Sequence, residues 1–423
     1  LHDHAVGVMI GSALGDAIGL YTEFMTKQEV VERYGSGVQF SLYPTPTVTF
    51  WVDDHRSTHT EGEWSDDTDQ AIILLLAFLR EVRGNHRASG RDMIEGQISR
   101  GTRINLPSQQ EVTARLRIWI NNGTMALGTL PIGLDWHTWR VNSQARFLRE
   151  PRAITRYGSA SNGALMRTHP LGIMTAFRDE AAAFKIGSDI AKVTHYDPRC
   201  VVSCIIGTAL VRSVVRGDIY REEHIDDLIN RAVAWYLANE TDADARGRFR
   251  RAELDRHVKK GALKELKIDE SEAVGYTYIC LACGISALRL ALRMVKLSES
   301  QLSEREIIFE HIINDLIMRG GFADTNACFA GALLGGYLGW TALPKHWKRG
   351  LIRGDWLKNK SEELCQALGF KPGTYDGDAD PDAKRLGGKP RQYTQAEMNA
   401  RRETHRSKQR IRIAARKAHY GGP

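Results

Sequence analysis

Hydrophobic positions follow helical spacing along most of the chain. Apolar residues recur at i, i+3 and i+4, which is the spacing of one face of an α-helix. Seven segments carry this pattern: Ala71–Val82, Glu180–Val193, Arg199–Arg216, Ile225–Asn239, Tyr276–Leu297, Glu304–Arg319 and Thr325–Trp340. The best strand candidate, Phe40–Val52, alternates β-formers, but its prolines and turn residues also fit a loop. The pattern predicts an all-α protein.

Glycine recurs every four residues in two segments that are far apart in the chain. A glycine inside a helix costs roughly 1 kcal/mol relative to alanine, so the repeats predict two central helices whose backbones pack unusually close. This contact would carry Asp16 and Glu23 toward the same region as Asp324. The repeats are Gly11, Gly15 and Gly19 near the N-terminus and Gly331, Gly335 and Gly339 near the end of the helical pattern.

Two short acidic motifs precede buried helical segments. The first, Glu63–Asp69, contains Ser65, Asp66 and Asp67, and the second, Gly320–Asn326, contains Asp324 and Thr325. Clustered hard oxygen donors bind Mg²⁺, Mn²⁺ or Ca²⁺ in preference to zinc or copper. Each motif alone would also serve as an ordinary helix cap. Together they predict a divalent-cation site, provided that the fold brings them to one place.

Two further features suit a phosphate-containing ligand. A loop of small residues supplies backbone N–H groups of the kind that bind phosphate oxygens, although an ordinary loop has the same composition. His195 stands in Thr194–Pro198, before a helix that Pro198 is expected to begin, and a purely local hydrogen-bonding role is the alternative. The loop residues are Gly158, Ser159, Ala160, Ser161, Asn162, Gly163 and Ala164.

Composition and charge place the basic character in a C-terminal tail. The chain of 423 residues has a net charge of +7. Residues 383–423 contain twelve Lys or Arg and two Glu, a charge of +10, which leaves −3 on the rest. A basic tail favours contact with a nucleic acid or an acidic protein, and a solubilising extension is the alternative. The longest weakly polar stretch, Ala327–Trp340, is shorter than a membrane span, and no cleavable signal peptide is visible.

The six cysteines are sparse and lie mostly in helical patterns. We expect them to be reduced and buried in a cytoplasmic or nuclear protein without a membrane partner. Cys280 and Cys283 form a single CxxC, but neither a second CxxC nor paired histidines accompany it in the sequence. We therefore interpret them as two small apolar residues on a core helix, and a zinc or redox site is the alternative.

Six motifs, taken in order, resemble the ADP-ribosylglycohydrolase family. They are Gly11–Gly19 with Glu23, Trp64–Thr68, Ser161–Arg167, Thr194–Pro198, Gly275–Tyr278 and Gly320–Ala327. The resemblance covers about residues 1–351 and implies a compact orthogonal multi-helix bundle with a central metal site. We expect such a domain over residues 1–372 and a basic, flexible extension over residues 373–423.

The resemblance also implies roles for the candidate residues. Ser65, Asp66, Asp67, Asp324 and Thr325 would bind the cation, Asp66 and Asp67 would also activate water, and Glu23 would act as an acid, a base or a gate. The loop 158–164 would bind the diphosphate of ADP-ribose, and His195 would lie near the ADP-ribose. The implied reaction is metal-dependent hydrolysis of the C1″ glycosidic bond in an ADP-ribosylated protein or a small ADP-ribose derivative.

One position departs from the family pattern. Phe322 stands where the second motif usually has its first Asp. Losing a carboxylate weakens one of two adjacent cation sites, because two neighbouring dications repel. We predict one firm site for Mg²⁺, Mn²⁺ or Ca²⁺ and a second that is weak, differently composed or empty, with Asp69 or Asp315 as candidate substitutes. The alternative function is a non-catalytic ADP-ribose-binding module with a degraded binuclear centre.

Overall fold

Fifteen α-helices build the part of the chain that the computed structural model describes. That part comprises residues 1–43, 47–53, 55–88, 105–132, 159–270, 274–297 and 302–384, with a few isolated positions beyond residue 393. In chain order the helices are α1 (His2–Gly19), α2 (Lys27–Tyr34), α3 (Asp66–Ala88), α4 (Gln109–Asn122), α5 (His169–Met174), α6 (Glu180–Ala191), α7 (Pro198–Arg216), α8 (Glu222–Asn239), α9 (Ala243–Arg248), α10 (Arg251–Val258), α11 (Thr277–Leu297), α12 (Leu302–Ile317), α13 (Ala323–Leu338), α14 (Lys345–Gly350) and α15 (Gly354–Leu368). The predicted all-α fold is confirmed.

Helix α7 shows how the local sequence sets the helix limits. Asp197 is its N-cap, and the carboxylate accepts a hydrogen bond from the Arg199 N–H (3.0 Å). Pro198 occupies the first turn, where its missing N–H costs nothing. The helix ends at Gly217, whose φ of +78° is a left-handed conformation that glycine adopts without strain. The expected helix start at Pro198 is confirmed.

The glycine repeats form the contact at the centre of the bundle. A Cβ added to Gly15 would lie 2.0 Å from the carbonyl oxygen of Ala327, and one added to Gly335 would lie 2.0 Å from the carbonyl oxygen of Gly7. A Cβ on Gly11 would similarly lie 2.4 Å from the carbonyl oxygen of Gly331. Helices α1 and α13 therefore meet backbone to backbone, as the glycine spacing predicts. Helices α7, α11 and α12 surround α13.

The segment with the best strand pattern packs as a loop. Its described positions, 40–43 and 47–52, belong to no strand. Phe40 and Phe50 instead pack their edges against the ring of Tyr21, with ring centroids 5.3 Å and 5.0 Å apart. The alternation of apolar residues here reflects burial of a loop, which was the other interpretation of Phe40–Val52.

Among the residues that the structure describes, two helices have the length and composition of membrane spans. The windows are Pro198–Arg216 and Thr277–Lys296, so the expectation that no stretch is long enough is wrong on length and composition. However, 94% and 78% of these windows are buried inside the protein. Burial of this kind is typical of core helices.

The beginning of the predicted extension packs against the bundle. Tyr375, Asp380 and Ala383 are buried, and Lys360 of α15 donates to Asp380 at 2.7 Å. The Arg115 side chain of α4 also donates to the Ala383 carbonyl oxygen at 2.5 Å. Residues 375–383 are therefore held against α15 and α4. The flexible, basic remainder stays a prediction, because most of it lies outside the described residues.

Candidate functional site

Three carboxylates from three helices converge in the centre of the bundle. Asp16 of α1, Asp67 of α3 and Asp324 of α13 are all buried, and one oxygen of each lies within 4.8 Å of the others. Gly19 makes the approach possible, because a Cβ there would lie 2.3 Å from the Cα of Asp324. The glycine contact between α1 and α13 thus sets the position of the two aspartates that these helices contribute.

Asp16 connects this group to the beginning of α3. One of its carboxylate oxygens accepts the Ser65 N–H (2.9 Å), and the other accepts the N–H (3.0 Å) and hydroxyl (2.6 Å) of Thr68. Asp16 therefore caps the first turn of a helix distant from it in sequence. Burial raises the pKa of Asp16 to about 6, although these hydrogen bonds oppose the rise.

Asp67 has the environment of a cation ligand. Its Oδ2 atom accepts hydrogen bonds from the hydroxyls of Ser65 (2.9 Å) and Thr325 (3.2 Å). Its Oδ1 atom is buried and has no hydrogen-bond partner in the structure. A buried carboxylate oxygen without a partner is costly, and a hard divalent cation is a ligand that would satisfy it. The described residues therefore fit a cation held by Asp16, Asp67 and Asp324.

Burial, and next to it mutual repulsion, perturbs the ionisation of the group. Burial raises the pKa of both Asp67 and Asp324 well above the ordinary range, and neighbouring carboxyls raise it further. Burial likewise raises the pKa of Glu23 to about 8. Several negative charges cannot be held together in a low-dielectric interior without compensation. A bound cation or retained protons would supply that compensation.

Glu23 lies beside the three aspartates on a closely anchored turn. Its carboxyl interacts electrostatically with Asp324, and its Oε2 atom lies 2.5 Å from Nε2 of His55. The Arg56 guanidinium donates to the Glu23 carbonyl oxygen. The next residue, Phe24, donates its N–H to the Gly321 carbonyl oxygen at 2.7 Å. The predicted acid, base or gate is thus placed within reach of the second acidic motif.

Asp66 is not a member of the three-carboxylate group. Its Oδ2 atom accepts a hydrogen bond from Nε2 of Gln70 at 2.9 Å, one turn further along α3. Neighbouring residues at a helix start point in different directions, so Asp66 and Asp67 face different surroundings. Asp16, which was not among the predicted cation ligands, belongs to the group instead. Asp16 directly follows Gly15 of the glycine repeat, and this position was the signal that it faces the helix carrying Asp324.

His195 is buried at the start of α7, and its Nδ1 atom lies 2.7 Å from the Thr194 hydroxyl. The same hydroxyl lies 2.5 Å from Nη2 of Arg167, whose Nη1 donates to Oε1 of Gln70 at 2.7 Å. A continuous series of hydrogen bonds therefore connects His195 with the helix that carries Asp66. This connection was not predicted from the sequence, because nothing in the local pattern pairs Arg167 with Gln70 or Thr194.

The predicted phosphate loop is attached to the segment that begins α11. Asn162 donates its N–H to the Gly275 carbonyl oxygen at 2.9 Å, and Thr277 donates to the Ala160 carbonyl oxygen at 2.8 Å. The Gly163 N–H donates to the Ser161 hydroxyl at 3.3 Å. The N–H groups of Asn162 and Gly163 are thus engaged within the protein. A buried donor, Nδ2 of Asn162, has no hydrogen-bond partner in the structure.

The other residues of the loop differ in their burial, and one lies outside the described residues. Ser159, Ala160 and Ser161 are half-buried, whereas Gly163 and Ala164 are buried. Gly158 lies outside the described residues. Binding of a diphosphate by this loop stays a prediction.

Phe322 brings an aromatic ring to the side of the site. The half-buried ring packs edge-on against Phe24, with centroids 4.8 Å apart. The two candidate substitutes for the absent carboxylate have other partners. Asp69 accepts the indole N–H groups of Trp64 and Trp119, both at 2.9 Å, and Asp315 pairs with Arg319 at 2.7 Å. Neither belongs to the three-carboxylate group.

Sequence comparison relates the chain to known proteins over most of its length. The family model described as ADP-ribosylglycohydrolase matches residues 1–372. The ADP-ribosylarginine hydrolase Tri1 of Serratia proteamaculans is 23% identical over 368 residues, which cover 86% of this chain and 79% of that protein. The ADP-ribosyl-[dinitrogen reductase] glycohydrolase of Rhodospirillum rubrum is 24% identical over 219 residues. The latter match covers 51% of this chain and 60% of that enzyme, less than two thirds of its length.

Structural comparison supports the fold. The chain resembles a solved structure described as an ADP-ribosylglycohydrolase-related protein complex, with a TM-score of 0.52. The similarity covers 87% of this chain and 97% of the other, at 21% sequence identity. At this level of identity the comparison shows a shared architecture.

Proposed function

Because this chain belongs to the ADP-ribosylglycohydrolase family, we propose that it is a hydrolase that cleaves the C1″ glycosidic bond of ADP-ribose conjugates. The conjugate would be an ADP-ribosylated protein or a small ADP-ribose derivative. The convergence of Asp16, Asp67 and Asp324 is the observation that carries the proposal. It supplies buried anionic oxygens where the two acidic motifs meet.

We propose that these carboxylates hold one divalent cation, either Mg²⁺, Mn²⁺ or Ca²⁺. The hydroxyls of Ser65 and Thr325 lie against Asp67 and orient it. A cation bound there would orient the ribose hydroxyls and balance the charge of the carboxylates. The phenyl ring of Phe322 offers no ligand oxygen, so a second cation would be weakly held or absent.

We propose roles for the remaining site residues from the chemistry of the reaction. Cleavage of the C1″ bond builds positive charge on the ribose ring and negative charge on the leaving group. Glu23 would exchange a proton with the leaving group or with water, since its pKa of about 8 lies near neutral pH. Asp66 and Asp67 would orient the attacking water. The loop 158–164 and His195 would bind the ADP-ribose.

Two other functions remain as competing proposals. In the first, the protein binds ADP-ribose without hydrolysing it, because Phe322 has removed a ligand of the second cation. Binding without turnover that persists in Phe322→Asp would support this function over an impaired enzyme. In the second, the basic tail contacts a nucleic acid or an acidic protein, and deletion of residues 383–423 would abolish salt-sensitive binding. The location of the protein in the cytoplasm or nucleus is a further proposal.

Calorimetric titration tests the proposed function directly. Mg²⁺, Mn²⁺ and Ca²⁺ would each be titrated with ADP-ribose into the wild type and Asp324→Asn, and release of ADP-ribose from a conjugate would be followed in parallel. We expect cation-dependent binding and turnover that Asp324→Asn weakens strongly. Equal stoichiometry and affinity in both proteins would refute the ligand role of Asp324.

A further inference from the structure

Five buried side chains form one continuous hydrogen-bonded series beside the carboxylates. Gln70 donates to Asp66 (2.9 Å), and Arg167 donates to Gln70 (2.7 Å) and to Thr194 (2.5 Å). The Thr194 hydroxyl also contacts Nδ1 of His195 (2.7 Å). The series joins the start of α3 to the segment that precedes α7, and these two segments are far apart in the sequence.

The chemistry of Arg167 sets the direction of every hydrogen bond in the series. A guanidinium has only donors. The Thr194 oxygen must therefore accept from Arg167. Its single O–H has no other acceptor among the described residues, so it donates to Nδ1 of His195. Nδ1 then carries no proton, and the neutral ring holds its proton on Nε2.

Arg167 also fixes the hydrogen-bond directions on the side of α3. The Gln70 carbonyl oxygen accepts from Arg167, so the amide nitrogen of Gln70 must face the other way and donate to Asp66. The guanidinium thus fixes the orientation of the Gln70 amide and, through it, the position of the Asp66 carboxylate. One donor-only group therefore determines both ends of the series.

Burial of the Arg167 guanidinium costs free energy, so its hydrogen bonds must offset the loss of water. Arg167 is fully buried, as are Gln70 and Thr194, and the desolvation of a guanidinium is offset only by well-placed acceptors. We propose that Arg167 is a positioning residue that holds the Asp66 carboxylate and locks His195 in its Nε2–H tautomer. His195 thereby presents a donor to the oxygens of the ADP-ribose portion of the substrate. The identity of the ligand, ADP-ribose, rests on the proposed function. The tautomer of His195 follows from the hydrogen bonds alone.

Thr194 offers the sharpest test, because valine matches its shape without the hydroxyl. In ¹⁵N-histidine-labelled protein, the His195 resonances are assigned by their absence from His195→Asn. We expect the Nε2–H tautomer in the wild type and in Thr194→Ser, and a mixture of tautomers in Thr194→Val. Affinity for ADP-ribose, measured with Mg²⁺ present, should fall in Thr194→Val in proportion to the loss of the Nε2–H tautomer, by about 2-fold for an equal mixture.

A matched control separates positioning from stability. Thr208 is also fully buried, but its hydroxyl has no hydrogen-bond partner in the structure, so Thr208→Val should change neither the tautomer nor the affinity. In an Arg167→Met background, Thr194→Val should have no further effect on affinity, because both act through the same guanidinium. Arg167→Lys serves if the methionine variant fails to fold, since one ammonium cannot span both partners.

The outcomes distinguish this inference from the proposed function. A wild type that shows an Nδ1–H tautomer, or a Thr194→Val protein with wild-type tautomer and affinity, overturns the inference. A wild type with the Nε2–H tautomer that neither binds ADP-ribose nor releases it from conjugates overturns the proposed function instead. Equal losses in Thr194→Val and Thr208→Val would show a structural effect only and would also overturn the inference.

Discussion

Replacing Asp67 by asparagine should make the metal-free protein more stable while removing its response to cations. The carboxylate oxygens of the three aspartates lie within 4.8 Å of one another. At an effective dielectric constant of about 20, two unit charges at this distance repel by about 3.5 kcal/mol. Retained protons already relieve part of this repulsion. We therefore expect Asp67→Asn to raise the free energy of unfolding by about 1–3 kcal/mol in the presence of a chelator.

Thermal unfolding with and without cation measures both effects. The entropy of unfolding of about 2 cal/mol/K per residue implies an increase in Tm of about 1–4 °C for the variant in chelator. A cation at about 1,000 times its Kd should stabilise the wild type by about 4.1 kcal/mol, and Asp67→Asn should lose most of this gain. The two proteins should therefore reverse their order of stability when the cation is added.

A neighbouring aspartate provides the control. Asp69 is also buried on α3, but it accepts the indole N–H groups of Trp64 and Trp119. An asparagine at this position has only one oxygen, so its NH2 group would face one of the two indole N–H groups, and that donor would lose its acceptor. Asp69→Asn should thus lose about 1–3 kcal/mol of stability and keep the cation response. The reasoning is wrong if Asp67→Asn is destabilised in chelator, or if its cation-induced shift in Tm matches that of the wild type.

Three further predictions concern packing and buried charge. Gly15→Ala should cost several kcal/mol in urea unfolding, because its Cβ would lie 2.0 Å from the Ala327 oxygen, whereas Gly247→Ala, with nothing within 4 Å, should be neutral or slightly stabilising. Lys360→Met should lower the free energy of unfolding by about 3–5 kcal/mol, since it leaves the buried Asp380 carboxylate without the Lys360 ammonium group. It should also expose residues 375–383 to limited proteolysis, and an unchanged cleavage pattern would contradict this. All six thiols are buried and free, so a thiol reagent should label none within minutes in the native protein and all of them in denaturant.

The sequence alone was sufficient for those features that depend on neighbouring residues. Apolar spacing predicted the principal helices, and Pro198 marked the start of α7. The four-residue glycine repeats predicted the contact of α1 with α13, because only residues without a side chain allow two backbones to approach so closely. These signals are local or periodic, and they therefore survive in a single sequence.

Only the tertiary structure decided which polar groups meet. Asp16 joins Asp67 and Asp324, whereas Asp66 turns toward Gln70. The direction in which each carboxylate points depends on the rotation of its helix within the bundle. A rotation of about 100° separates neighbouring residues, and no local pattern specifies it.

The same reason explains why the environment of His195 was not predicted. Its partner Thr194 is adjacent in sequence, but Arg167, which orients both, reaches them only because α3, α5 and α7 pack together. Hydrogen-bond direction follows from which donors and acceptors the packing brings within about 3 Å. The sequence determined the helices and the residues available for chemistry, and the packing of those helices determined their partners.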